Sequence, residues 1–231
     1  MMSYLGDQTG VYRAMDKLGS AGVSAIAAEA KVDERYLKEW LASNAARGYV
    51  SYDAEADKFS LTPEQASVFA RESEPTCIQG LIQGVVGQFV KEDVAIDVFK
   101  TGRGRPWGEH HECCFCGTER FFRPAYAGHL LDEWIPALDG VEDKLKLGAK
   151  VADIGCGLGT SSILMAEQFP NSTIHAFDFH GPSIEEAKKR ANEKGLSNLE
   201  FFVSDAGEIP KNDYDLACIF DCLLYTSPSP R

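Results

Sequence analysis

The stretch VADIGCGLGTSS, residues 151–162, constrains the fold of this chain more than any other. An apolar run typical of a strand ends there in Gly155, Gly157 and Gly159, and a helical pattern follows. Glycines at a turn allow backbone conformations closed to other residues and let a ligand approach the main chain. In a doubly wound sheet, the turn after the first strand borders the ligand crevice. The stretch therefore predicts a strand, a ligand-binding turn and a helix.

The residues after Lys150 alternate between strand and helix patterns. The predicted strands are KVADI, STIHAF, LEFFV and YDLACIF. Helices are predicted between them, the second at 183–194 with Ser183 and Glu186 as its capping box. Such alternation predicts an α/β domain in which helices cover a parallel sheet. We expect this domain at 148–223, with the first four strands of its sheet.

The first 75 residues carry two helical patterns followed by a hairpin pattern. Ser24 and Asp33 are placed to cap the two helices, and residues 49–61 predict two short strands around a polar turn. This order is typical of a winged helix, which we place at 1–75. Residues 76–147 predict a mostly helical connector with a polar interruption.

Charge bears on what the winged helix binds. Residues 1–75 hold eight Lys and Arg against twelve Asp and Glu, and the whole chain has a formal net charge of −12. Affinity for nucleic acid depends on Lys and Arg that neutralise phosphates. The composition therefore favours a dimerisation module over a DNA-binding one, and a ligand-sensing DNA-binding regulator is the alternative.

The glycine spacing distinguishes two classes of ligand. A dinucleotide fingerprint, G-x-G-x-x-G, needs its third glycine where this chain has Thr160 or Ser162. An NAD(P)-dependent oxidoreductase is therefore disfavoured. The pattern that does fit is Asp153-x-Gly155-x-Gly157-x-Gly159.

An acid followed by alternating glycines resembles the first motif of the class I, Rossmann-like S-adenosylmethionine-dependent methyltransferases. This cofactor has a sulfonium, an ammonium and no phosphate, so an acid at the strand end suits it. The resemblance implies that Asp153 helps hold the amino-acid end of S-adenosylmethionine. It also implies that Gly155, Gly157 and Gly159 line the methionine and ribose portions.

The resemblance extends to the ends of the next strands. It assigns further cofactor contacts to Asp178, Phe179, Asp205, Ala206 and Phe220. Asp178 would meet the ribose hydroxyls, Asp205 the adenine amino group, and Phe220 with Asp221 the transferred methyl.

The order of winged helix, connector and glycine motif resembles a bacterial-type subgroup of these enzymes. PWGEHH (106–111) and TERFFRPAY (118–126) look like its connector motifs. The resemblance implies methyl transfer to an unidentified small-molecule acceptor and a homodimer formed through the N-terminal domain. We expect neither nucleic acid nor membrane as a partner.

Two histidines are candidates for a general base. His110 and His111 carry imidazoles, which titrate near neutrality, and their loop could cover a pocket; an exposed polar loop without a catalytic part is the alternative. In HHECCFC (110–116) the histidines and cysteines crowd into seven residues. Zinc ligands usually come as separated pairs, so no metal is expected.

The remaining expectations concern the cell and the chain end. Seven cysteines, an odd number, and a start without signal-peptide features favour the cytoplasm. The resembled family continues after DCL with a helix and three more strands, whereas LLYTSPSPR follows here. We therefore expect a C-terminally truncated fragment, with 224–231 as a non-native tail.

Overall fold

The computed structural model describes residues 1–209, 214–220 and 222. The chain divides into two compact units, 1–124 and 125–231. This division falls within the segment predicted as a connector. The domain limits drawn from the sequence stay predictions, and the predicted tail lies outside the described residues. Among the described helices, none combines the length and apolar character needed to cross a membrane.

The first unit is built mainly from helices. It also contains one antiparallel hairpin, which lies between its fourth and fifth helices and consists of β1 (Ser51–Asp53) and β2 (Lys58–Ser60). The helices are α1 (Met2–Gln8), α2 (Val11–Leu18), α3 (Val23–Ala30), α4 (Glu34–Ala46), α5 (Pro63–Phe69), α6 (Gln79–Val90), α7 (Glu92–Thr101) and α8 (Glu112–Ala125). The helix pair α3–α4 followed by this hairpin confirms the predicted winged helix.

The two predicted caps of the winged helix have different outcomes. Asp33 caps α4 by accepting a hydrogen bond from the backbone N–H of Tyr36 at 3.1 Å. The prediction for Ser24 is wrong, because α3 begins at Val23 and its N-cap is Gly22, two residues before Ser24. Ser24 lies within the first turn and donates its hydroxyl to Glu34 at 2.6 Å.

Helices α6 and α8 approach each other at backbone distance. A Cβ added to Gly80 would lie 2.7 Å from the carbonyl oxygen of Gly117, and one added to Gly117 would lie 2.9 Å from the Cα of Gly84. Such distances leave no room for a side chain. The glycines of α6 therefore face α8, and the remaining faces of α6 carry its apolar side chains.

A buried ion pair joins the start of the first unit to α8. Asp7 is 2% exposed, and Arg120 donates to both of its carboxylate oxygens at 2.9 Å. Arg120 also donates to Glu72. Burial raises the pKa of the Asp7 carboxyl, but the hydrogen bonds and charge of Arg120 outweigh burial and leave that pKa below its usual value.

The second unit alternates helices and strands as the sequence predicts. A π-helical segment (Tyr126–Trp134) follows Pro124, whose ring removes a backbone donor. The next elements are α9 (Val141–Leu147), β3 (Lys150–Ile154), α10 (Thr160–Gln168), β4 (Thr173–Asp178), α11 (Gly181–Glu193), β5 (Leu199–Val203) and β6 (Leu216–Ile219).

The four described strands of this unit form a parallel sheet in the order β5-β4-β3-β6. Asp153 in β3 aligns with Ala176 of β4 on one side and with Cys218 of β6 on the other. The α/β fold class is confirmed. The central position of β3 places the turn that follows it beside the ends of both neighbouring strands.

The predicted capping box of the second helix is wrong. α11 begins at Gly181 rather than at residue 183, with His180 as its N-cap. Proline in the first turn has a backbone angle already suited to a helix, so Pro182 favours the earlier start. Ser183 is buried instead, with its hydroxyl 2.7 Å from Nδ1 of His180.

Candidate functional site

The glycine turn is tied to the end of the neighbouring strand. The backbone N–H groups of Gly155 and Cys156 both donate to the carbonyl of Phe177, at 2.7 and 3.0 Å. Gly159 donates back to the carbonyl of Cys156 at 2.9 Å, and α10 begins at the next residue. The chain therefore leaves β3, crosses over the end of β4 and enters α10 along a fixed path.

Two of the glycines meet very different surroundings. Gly159 has φ +78°, and a Cβ there would lie 2.9 Å from the ring of Phe201 and 3.0 Å from the Cβ of Ala187. Gly157 has φ +54°, and a Cβ there would meet nothing within 4 Å. Packing therefore accounts for Gly159, whereas the backbone at Gly157 borders open space in which a ligand can lie.

Asp178 lies at the end of β4 and is bound to the turn. One carboxylate oxygen accepts the backbone N–H of Gly157 at 2.9 Å, and the other accepts that of His180 at 2.8 Å. The carboxylate thus joins the glycine turn to the start of α11. Phe179, the next residue, is 50% exposed.

Asp205 and Ala206 follow β5 and are exposed. Asp205 accepts the backbone N–H of Gly207 at 2.8 Å. The ends of β4 and β5 are joined by the N–H of Ser204, which donates to the carbonyl of Asp178 at 3.1 Å. Both predicted carboxylates therefore lie at the same edge of the sheet as the glycine turn.

Phe220 follows β6 and belongs to an aromatic cluster. Its ring centroid lies 5.3 Å from that of Tyr126 and 6.2 Å from that of Trp134. The placement of Tyr126 and Trp134 beside Phe220 could not be derived from the sequence pattern. Asp221 lies outside the described residues.

Asp153 is buried beneath the start of α10. The hydroxyls of Ser161 and Ser162 both donate to its Oδ2 at 2.6 Å. Burial raises the pKa of the Asp153 carboxyl, the nearby charge of Asp178 raises it further, and the two serine hydroxyls oppose that shift. Sequence reasoning did not identify these serines, although the letters TSS directly after the last glycine are the available signal.

The two histidine candidates lie in the first unit and differ in role. His111 accepts the backbone N–H of Cys113 on its Nδ1 at 3.2 Å, at the first turn of α8. His110 lies with Nδ1 3.3 Å from the amide nitrogen of Gln88. Burial and then the charge of Arg105 lower the pKa of His110, with Glu109 opposing the shift.

In the part of the chain that the structure describes, no group of three or more His, Cys, Asp and Glu is arranged to hold a metal ion.

The edge of the sheet fits a positively charged nucleoside without phosphates. It combines open space over Gly157 with carboxylates at the ends of β4 and β5 and an exposed aromatic ring at Phe179. Carboxylates suit ribose hydroxyls and cationic groups. These residues are therefore compatible with S-adenosylmethionine.

Two parts of the chain match models of known protein families. Residues 145–231 match a family model described as a methyltransferase domain, and residues 1–71 match an Rv2258c-like winged HTH domain. The aklanonic acid methyltransferase DauC of Streptomyces sp. (strain C5) is 39% identical over 72 residues, which cover 30% of this chain and 33% of that protein.

A further similar protein is named for a tRNA that it methylates. A tRNA (guanine-N(7)-)-methyltransferase of Neisseria gonorrhoeae is 36% identical over 63 residues, 27% of this chain and 26% of that protein. The matches thus span about a third or less of these curated relatives.

The solved human N-acetylserotonin methyltransferase, in complex with S-adenosylmethionine, has a TM-score of 0.60 and 15% identity. The likeness covers 96% of this chain and 67% of that one and shows the shared fold. The chain thus resembles a winged helix-turn-helix domain over residues 1–71 and a methyltransferase domain over residues 145–231.

Proposed function

We propose that the protein transfers a methyl group from S-adenosylmethionine to a small-molecule acceptor. The observation that carries this proposal is the Asp178 carboxylate bonded to the N–H of Gly157, beside the open space over that glycine. The named acceptors of DauC and of the human enzyme support a small molecule.

In this proposal each strand end holds a different part of the cofactor. Asp178 binds the ribose hydroxyls, Asp205 and Ala206 contact the adenine, and the exposed ring of Phe179 covers one side of the nucleoside. Phe220 and its aromatic neighbours lie at the methyl. The sulfonium of the bound cofactor supplies an activated methyl group with a neutral thioether as leaving group.

The protein then contributes mainly orientation and exclusion of water. A base is needed only where the acceptor must lose a proton. His110 and His111 stay the candidates that we propose for such a base. The Nδ1 atoms of both histidines already lie within hydrogen-bond distance of a nitrogen, so Nε2 is the atom of each that would take the proton.

Replacing Asp178 by alanine tests the cofactor assignment. We expect the affinity for S-adenosylhomocysteine, measured by calorimetry, to fall about 10- to 100-fold, because a hydrogen bond to a charged group contributes about 1.5–3 kcal/mol. The matched control is Asp139→Ala, which removes an exposed carboxylate of the same unit. Equal affinity in the two variants would remove Asp178 from the site.

We also propose a homodimer formed through the N-terminal unit. α6 contains no charged residue, and its side chains Leu81, Val85 and Phe89 are exposed, as are Ile96 and Phe99 of α7. An apolar helix face of this kind can pair with the same face of a second copy about a two-fold axis. Residues 1–75 are acidic, which supports this use over nucleic-acid binding.

If the protein is a dimer of this kind, a charge introduced on the apolar helix face should reduce the mass of the particle in solution. We expect the unaltered protein to sediment as a dimer and Phe89→Lys with Phe99→Lys to sediment as a monomer. Lys38→Glu, a charge change on an exposed position of α4, serves as the control. A monomer in the unaltered protein would refute the proposal.

We propose a cytoplasmic location on the basis of the odd number of cysteines alone.

A further inference from the structure

The acid of the glycine motif is enclosed by the protein. Asp153 is 1% exposed, and the serines bonded to it, Ser161 and Ser162, are 4% and 0% exposed. Its second oxygen, Oδ1, is also buried and has no hydrogen-bond partner among the residues that the structure describes. A ligand in the crevice therefore cannot contact this carboxylate unless the turn opens.

The hydrogen bonds of Asp153 run to α10. Oδ2 takes both serine hydroxyls at 2.6 Å, and these serines occupy the first turn of the helix, where the helix dipole favours a negative charge. One end of the glycine turn is thus fixed by Asp153 through α10. The other fixed point is Asp178, which holds the N–H of Gly157.

We propose that Asp153 is a positioning residue that acts through Ser161 and Ser162 and does not touch the amino-acid end of the cofactor. It holds the start of α10, and thereby the path of the turn, in the form that accepts the nucleoside. This inference rests on the proposed function and differs from the contact that the sequence resemblance implies for Asp153.

Two ligands distinguish positioning from contact. S-adenosylhomocysteine carries the amino-acid end, whereas 5′-methylthioadenosine lacks it. We expect Asp153→Asn to lower the affinity for both ligands by the same factor, about tenfold, in calorimetric titrations. A tenfold loss for S-adenosylhomocysteine with unchanged affinity for 5′-methylthioadenosine would overturn the proposal, because only direct contact with the amino-acid end gives that difference.

A mutant cycle tests the route through the serines. The double variant Ser161→Ala/Ser162→Ala should weaken both ligands as Asp153→Asn does, and combining the three changes should add no further loss, since the groups act as one unit. Unchanged affinity in the double variant, or additive losses in the triple variant, would contradict the proposal.

A control separates positioning from general loss of stability. Ile184→Val removes one methylene from a fully buried side chain of α11, and this variant should bind both ligands normally. If it weakens them as much as the serine variant does, the positioning role is refuted. Failure of the unaltered protein to bind either ligand would instead refute the proposed function, so the two failures are distinguishable.

Discussion

Replacing Arg120 by methionine is expected to lower the free energy of unfolding of the first unit by about 3–5 kcal/mol. The methionine keeps much of the apolar volume but leaves the carboxylate of Asp7 buried, at 2% exposure, without its main partner. Arg13 remains 3.3 Å from Asp7 but does not replace the two hydrogen bonds that Arg120 donates, and removing one partner of a buried ion pair costs more than the pair contributes. Urea unfolding at pH 7 measures the change.

Two further variants make this result specific. Arg35→Met removes an exposed arginine from α4 and should cost less than about 0.5 kcal/mol. Adding Asp7→Asn to Arg120→Met should recover part of the loss, because the uncompensated charge is then gone. A cost below about 1 kcal/mol for Arg120→Met would show that the pair is not buried as described.

The same pair makes stability depend on pH. The pKa of Asp7 in the folded protein lies below its usual value of 3.8. A carboxyl with a depressed pKa stabilises the fold above its unfolded pKa, and this contribution is lost as the pH falls through the folded value. The difference in stability between the unaltered protein and Arg120→Met should therefore shrink below about pH 4.

Gly157 and Gly159 lie in one turn but should respond differently to replacement by alanine. Gly159→Ala places a Cβ 2.9 Å from Phe201 at a backbone angle that alanine rarely adopts. We expect it to cost about 2–4 kcal/mol in stability, from overpacking and backbone strain together. Thermal unfolding measures this cost.

Gly157→Ala has the same backbone difficulty but no collision, because its Cβ would enter open space. It should lower the free energy of unfolding by only about 1–2 kcal/mol. It should lower the affinity for S-adenosylhomocysteine at least as much as Gly159→Ala does. If both variants lose stability equally and Gly157→Ala binds normally, the space over Gly157 is not the ligand site.

Much of the fold follows from local pattern. The alternating apolar segments, together with the glycine turn, predict the four described strands of the sheet. Asp33 predicts the start of α4. The serine caps did not give the helix starts, because α11 begins at Gly181 and α3 begins at Val23, earlier than those caps suggest.

The site was predictable where it depends on chain order. Parallel strands end at one edge of the sheet, so Asp178 and Asp205 had to lie near the glycine turn. Contacts that depend on packing in three dimensions were not predictable. Examples are the enclosure of Asp153 by Ser161 and Ser162 and the packing of Phe220 against Trp134.

We infer that a phosphate-free nucleoside lies along the glycine turn after β3. Amide NMR spectra of the protein, recorded with and without S-adenosylhomocysteine, test it most directly. The N–H signals of Gly155, Gly157 and Gly159 should shift on adding S-adenosylhomocysteine and stay in place on adding NAD. Glycine signals that do not move with S-adenosylhomocysteine, or that move with NAD, would contradict it.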